Sequence, residues 1–238
     1  LASMKGEDGT VRISGFYDST TPLGEAERAA LAALPHPDED LRRELGLAPG
    51  ATEGPEGNGG RLADRLLLPS LNVRGLAAGN VGEAAQNVVP ATATASLDLR
   101  LVRGNDPEAM VDLVEAHIRA QGYHVVRQDP DAATRLARPK IAKVVREGGY
   151  PAARTDMGLP IARRVAAAAE RAAGEPVLLV PSLGGSLPLY LFTDLLAKPT
   201  LIVPIANHDD NQHAPDENLR LANLWYGVDL MAALLTME

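Results

Sequence analysis

One stretch constrains the fold more than any other. Ala93, Ala95, Leu97 and Leu99 alternate with Thr94, Ser96, Asp98 and Arg100, and a period of two is the mark of a strand with one face buried. We expect that strand within residues 88–102. Asn105-Asp106-Pro107-Glu108 then offers a cap and a first-turn proline, and Met110, Val111, Val114, His117 and Ile118 recur at helical spacing until near Gly122. A strand at 123–127 follows, with others expected at 70–75 and 140–146. Strand, helix, strand in this order predicts an α+β open-faced sandwich, a sheet with helices on one side.

The composition changes after Gly148-Gly149-Tyr150-Pro151, and we place a domain boundary near residue 150. Beyond it come an Ala-rich helix at 160–173, an apolar strand at 177–180, a short helix at 187–196, a second apolar strand at 200–205 and an amphipathic helix at 217–235. Continuous apolar strands alternating with helices predict an α/β layer covered on both faces. The expected fold class is therefore α/β, with an α+β sandwich preceding it.

Upstream, Asp8-Gly9 reads as a tight turn into a strand at 10–13, as though the first arm of a hairpin had been cut away. With no basic start, apolar middle or cleavage site after Leu1-Ala2-Ser3-Met4, the chain is expected to be a piece of something longer. A helix is expected at 21–34, with Thr21 as cap, Pro22 in the first turn, and Leu31 and Leu34 on one face. Residues 35–60 read as a surface excursion with a short helical stretch at 42–45 and a glycine-rich end, Gly54-Pro55-Glu56-Gly57-Asn58-Gly59-Gly60.

Composition removes several classes of function. The 23 Lys and Arg against 31 Asp and Glu leave a net charge of −8, and there are eight aromatic residues in 238. Such a chain has little with which to grip a phosphate backbone or stack on bases, so no nucleic-acid partner is expected. No apolar run approaches the roughly 20 residues that span a bilayer, and no membrane partner is expected. The absence of cysteine excludes disulfides, thiolate metal sites and cysteine nucleophiles. Any metal must be held by His, Asp or Glu. The cytoplasm is the default location.

Three stretches could carry chemistry. Between the strand at 200–205 and the last helix, residues 207–217 hold His208, His213, Asp209, Asp210, Asp216 and Glu217. Strand carboxyl ends are where open α/β sheets bind ligands, and imidazole with carboxylate is a donor set for zinc. The same acids also suit a plain capping loop at a helix start. In Gly184-Gly185-Ser186-Leu187-Pro188, paired glycines ahead of a helix would let backbone N–H groups approach a carboxylate or phosphate; an ordinary turn capped by Ser186 fits equally. No Gly-x-Ser-x-Gly elbow exists there, so serine hydrolysis lacks support. Finally, Asn87 precedes Arg100 by thirteen residues. The guanidinium of Arg100 could clasp a carboxylate bidentately or simply pair with Asp98. His117 and His124 read as structural, and His36 as a loop residue.

Taken together, the chain resembles the C-terminal part of the M20 zinc metallopeptidases, especially carnosinase-like dipeptidases and related amidohydrolases. The resemblance lies in Asn87-Val88-Val89-Pro90 leading to Leu97-Asp98-Leu99-Arg100-Leu101-Val102, in Leu183-Gly184-Gly185-Ser186-Leu187-Pro188, and in Asp209-Asp210-Asn211-Gln212-His213 with Glu217. It covers most of residues 70–238, while 1–69 agrees only loosely. It implies a lid or dimerisation domain over 1–150 and the C-terminal half of a zinc-peptidase catalytic domain over 151–238. His213 would match the last ligand of a two-zinc site, with manganese or cobalt as possible substitutes. Asn87, Arg100, Gly185 and Ser186 would match substrate-holding positions, Arg100 and Ser186 at the C-terminal carboxylate and Asn87 at the scissile carbonyl.

In this family a metal-activated water attacks while a glutamate takes its proton and a lid donor stabilises the oxyanion. The general base and remaining ligands would precede Leu1, so no catalytic residue is expected in the chain, which would be inactive alone. The implied partners are a dipeptide or N-acyl amino acid and a second copy of the lid in a homodimer. Two other readings stand beside this one: a non-catalytic dimerisation fragment or homologue, and a carboxylate-binding module using 184–186.

Overall fold

The computed structural model describes residues 1–48 and 61–237; the glycine-rich end of the expected surface excursion lies outside them. The chain divides into two compact units. The first comprises Leu1–Thr21 and Pro37–Ala153, the second Pro22–His36 and Arg154–Glu238.

In the first unit, α2 (Asp38–Glu44) and α3 (Leu62–Arg65) precede β1 (Ser70–Ala77) and β2 (Thr94–Arg100). The two strands pair antiparallel from Ser70 opposite Arg100 to Ala77 opposite Thr94, with a bulge between Val73 and Gly75. The strand expected within residues 88–102 forms as β2, from Thr94 to Arg100. Leu97 and Leu99 pack on the core as their alternation predicts. Ala93 and Ala95, on the same face, are exposed, because the ribbon runs on beyond the core.

Helix α4 (Pro107–Ala120) begins where its signals place it: Asp106 caps the Ala109 N–H at 2.8 Å and Pro107 occupies the first turn. Behind it, β3 (His124–Val126) pairs parallel with β4 (Ile141–Lys143) across the unforeseen α5 (Ala132–Ala137), whose cap is Asp131. The mixed helix and strand fold is as expected, but its sheet is two separate two-stranded pieces rather than one face.

The core of this unit joins Leu71, Met110 and Val114 to Met4, Val11, Ile13 and Phe16. The hairpin arm read as cut away is therefore present: Lys5 bridges Val11, and Arg12 N–H donates to the Met4 carbonyl at 2.7 Å. Gly9, at φ 77°, supplies the left-handed turn between them.

The second unit contains α1 (Glu25–Ala33), α6 (Pro160–Ala173) and α7 (Leu221–Leu235), with a π-helical turn at Leu191–Leu195. The expected 21–34 helix starts later, at Glu25, because Pro22 and Gly24 are extended or capping residues rather than helical ones. Helix α6 matches its prediction and ends at left-handed Gly174. It packs on α7, burying Ala168, Ala169 and Leu230.

The expected strands at 177–180 and 200–205 do not form a ladder. Strands that are apolar on both faces need hydrogen-bonded neighbours on their edges, and no strand of the second unit among the described residues provides one. Leu178, Leu179, Val180 and Ile202 consequently remain exposed. Among the described residues no helix is long and apolar enough to cross a membrane.

Candidate functional site

The loop joining 200–205 to α7 is braced by its own polar groups. Asn207, 6% exposed, accepts a hydrogen bond from the Arg220 N–H at 3.0 Å and donates through Nδ2 to Asp209 Oδ1 at 2.8 Å and Asn218 Oδ1 at 3.4 Å. Arg220 is the N-cap residue of α7, and its side chain pairs with Asp209. The Asn207 amide, with the Arg220 guanidinium as a lesser contributor, holds the Asp209 carboxyl below its ordinary range.

Asn218 N–H donates to the Asp210 carbonyl at 2.8 Å, and Gln212 N–H to Asp210 Oδ1 at 2.9 Å. Within this closure Asn211, His213 and Asp216 all adopt positive φ, His213 at 64°. Left-handed backbone is uncommon outside glycine, and asparagine, aspartate and histidine are the residues that adopt it most readily. The side chain of His213 is thereby carried on an exposed, turned segment. Both readings of the stretch meet here, since the loop closes onto the start of α7 and also displays an imidazole.

Asn87 lies three residues beyond a short 3-10 turn at Gly82–Ala84 and is exposed. Arg100 ends β2 opposite Ser70. Its Nε donates to Asp98 Oδ2 at 2.7 Å, the pairing foreseen as an alternative, while half of its side chain stays exposed. Asn87 and Arg100 belong to the first unit; Gly185, Ser186 and His213 belong to the second.

The expected helix after Ser186 is displaced. The only helical turn of that stretch begins at Leu191, so Ser186 is not its cap and no helix N-terminus faces the two glycines. The physical cause is Pro188, which disfavours helical backbone at Leu187 before it. A Cβ placed on Gly185 would meet nothing within 4 Å, so in this conformation the glycine permits an approach from outside rather than a close contact within the chain.

The most heavily ion-paired group of the first unit escaped sequence reading. Glu115 is fully buried on α4 and receives hydrogen bonds from Arg119 at 2.9 Å, Arg146 at 2.7 Å and both terminal nitrogens of Arg127. Arg146 also reaches Glu108 and Asp112. Burial alone would raise the Glu115 pKa, but the bonds from Arg146 and Arg127 outweigh it and hold it at about 2. The available signal was its position, with Val111 and Ile118, on the apolar stripe of the helix. The histidines read as structural are accounted for in part: His117 Nε2 is hydrogen-bonded to Ser3 Oγ at 2.9 Å, and His124 opens β3.

Imidazole nitrogen and carboxylate oxygen are fitting donors for a divalent metal. Among the described residues, however, no group of three or more His, Cys, Asp or Glu comes together to hold one. A catalytic zinc ordinarily takes about three protein ligands, so His213 fits as one contributed ligand and not as a site by itself.

Comparison with known proteins gives a consistent outcome. Residues 27–126 match the sequence model of a peptidase dimerisation domain, that of the M20 peptidases. The chain is 26% identical to the Cys-Gly metallodipeptidase of Saccharomyces cerevisiae over 99% of its own length and 46% of that protein. It is 25% identical to the Cys-Gly metallodipeptidase of Candida albicans over the same shares of each. It thus spans about half the length of the curated relatives it matches.

Its fold is similar to an M20 family metallo-carboxypeptidase from Sulfolobus solfataricus, with a TM-score of 0.81 at 23% identity, covering 99% of this chain and 50% of that one. It is also similar to human carnosine dipeptidase 1, with a TM-score of 0.69 at 20% identity, covering 98% and 47%.

Proposed function

From a chain that carries the peptidase dimerisation domain of the M20 family, we propose the C-terminal portion of a metal-dependent hydrolase of peptide or amide bonds. The observation that carries this is the extent of the similarity. The match to a Cys-Gly metallodipeptidase runs through 99% of the chain, and so through the second unit as well as the dimerisation domain. The substrate class is a dipeptide or N-acyl amino acid, with residues 1–150 as the lid and 151–238 as the returning half of the catalytic domain.

The complete site holds two zinc ions, for which manganese or cobalt can substitute, and His213 supplies one ligand. When bound, such a metal would supply Lewis-acid polarisation of the scissile carbonyl and a hydroxide at neutral pH. The residues of this chain bind and orient. Arg100 exchanges Asp98 for the substrate carboxylate, which its planar fork meets bidentately. In the second unit Ser186 and the Gly185 backbone are substrate-holding groups, Ser186 suited to a carboxylate, and in the first unit Asn87 donates its amide to the scissile carbonyl as charge develops there. The general base comes from outside this chain. Two copies associate through the dimerisation domain.

The test is to join the chain to the upstream portion of its own reading frame and assay Cys-Gly and an N-acyl amino acid panel. Hydrolysis that chelation abolishes and zinc restores is the expected result; no hydrolysis with or without metal overturns the reading. One observation favours a second reading, a non-catalytic dimerisation or carboxylate-binding module: the described residues bring no three metal-binding side chains together. That reading predicts carboxylate binding by the joined protein without metal and without turnover.

A further inference from the structure

We propose that Asn207 is the positioning residue that closes the 207–218 loop and so fixes the imidazole of His213; the consequence for metal binding rests on the reading of His213 as a ligand. Asn207 sits at the end of the apolar run 200–205 and is almost wholly buried. A buried carboxamide has to satisfy both its donor and its acceptor. Here it does so by tying the start of the loop to its end. Its Oδ1 holds the N–H of Arg220 at 3.0 Å, and its Nδ2 holds Asp209 at 2.8 Å and Asn218 at 3.4 Å.

Entry, exit and the first residues of α7 are thus joined through one side chain. A second tie lies beneath it, where Asn223 Nδ2 donates to the Ile205 carbonyl at 2.7 Å. Between the tied ends, His213 holds a left-handed backbone.

The chemistry of the clasp is directional, and this makes it testable. Asn207→Asp keeps an oxygen for the Arg220 N–H but removes the donor and sets a carboxylate against that of Asp209. Adding Asp209→Asn restores a donor and acceptor at that contact with the roles exchanged. Neither position is assigned to the metal or the substrate.

The experiment compares N207D, D209N, the N207D/D209N pair and H213A in the protein joined to its upstream portion. Amide hydrogen exchange at Asn218 and Arg220 and zinc affinity are both measured. The clasp predicts that N207D exposes the Asn218 amide to exchange and weakens zinc by roughly 10- to 100-fold, as loss of a group that orients a ligand does. It also predicts that the pair recovers most of both losses.

Unchanged amide protection in N207D overturns the proposal, as does a pair no better than N207D alone. H213A tests the underlying reading separately. If N207D opens the loop but neither it nor H213A changes zinc binding, the clasp stands and the ligand assignment falls. If H213A weakens zinc while N207D changes nothing, the reverse holds.

Discussion

Arg154 Nε lies 3.3 Å from Glu27 Oε1, with both side chains less than a tenth exposed. The same Glu27 accepts the Gly24 N–H at the start of α1 through its other oxygen, and Arg154 Nη2 donates to the Pro22 carbonyl at 2.8 Å. One ion pair therefore holds α1 with the residues that follow Ala153, and it explains why 22–36 cluster with the second unit although the dimerisation-domain match begins at Glu27.

Removing either partner deprives the other of its buried counter-ion, which costs about 3–5 kcal/mol. We expect Glu27→Ala and Arg154→Ala each to lose stability of that order in urea unfolding. A loss under about 1 kcal/mol, typical of a surface pair, would mean that the pair is not buried in solution.

The Glu115 network predicts an acid-sensitive first unit. Its folded pKa of about 2 lies below the ordinary 4.5, so the stability it contributes is present above about pH 4.5. That stability is lost as pH falls from there toward 2. The shift corresponds to at most about 3 kcal/mol. Urea midpoints measured between pH 6 and pH 3 should fall more steeply in the wild type than in Glu115→Gln; equal slopes would contradict the account.

Gly227 sits on α7 where a Cβ would come within 2.7 Å of Ile205 Cγ2. Two effects compete in Gly227→Ala. Helix propensity favours alanine by about 1 kcal/mol, and overpacking costs about 1–3 kcal/mol. Because Cγ2 is a branch at the Ile205 Cβ and not a flexible end, we expect overpacking to prevail. In an Ile205→Ala background the same change should become neutral or stabilising, which a double-mutant cycle in thermal unfolding reads directly.

Arg100 tests the substrate assignment. In the joined protein, Arg100→Lys should raise KM for substrates with a free carboxylate at least 10-fold, because an ammonium cannot reproduce the bidentate fork. Amidated substrates should be affected far less. Equal effects on both would return Arg100 to its plain pairing with Asp98.

Where local signals are self-sufficient, the sequence was a good guide. Pro107 marks the start of α4, which ends at Ala120, two residues short of Gly122, and α6 spans 160–173 as expected, Gly174 following it. The 200–205 run shows why other elements failed. Leu201, Ile202, Val203 and Ile205 are strand formers, but a ladder needs an edge to pair with, and that is a property of neighbours rather than of the run. The hairpin at Gly9 was misjudged because Met4 and Lys5 are too few to show an alternation, although their pairing with Val11 and Arg12 builds core. At the site, His213 stood out by residue type, but its backbone conformation and the clasp by Asn207 arise from contacts spanning thirteen residues, and periodicity carries no trace of those.

The most direct measurement is bound metal, by elemental analysis, on the chain as it stands and on the protein joined to its upstream portion. The account predicts close to two zinc ions per joined chain, lost to chelation together with dipeptide hydrolysis, and substantially less than one in the shorter chain, where His213 lacks companion ligands. Absence of stoichiometric zinc from the joined protein would contradict it and leave the dimerisation or carboxylate-binding reading in its place.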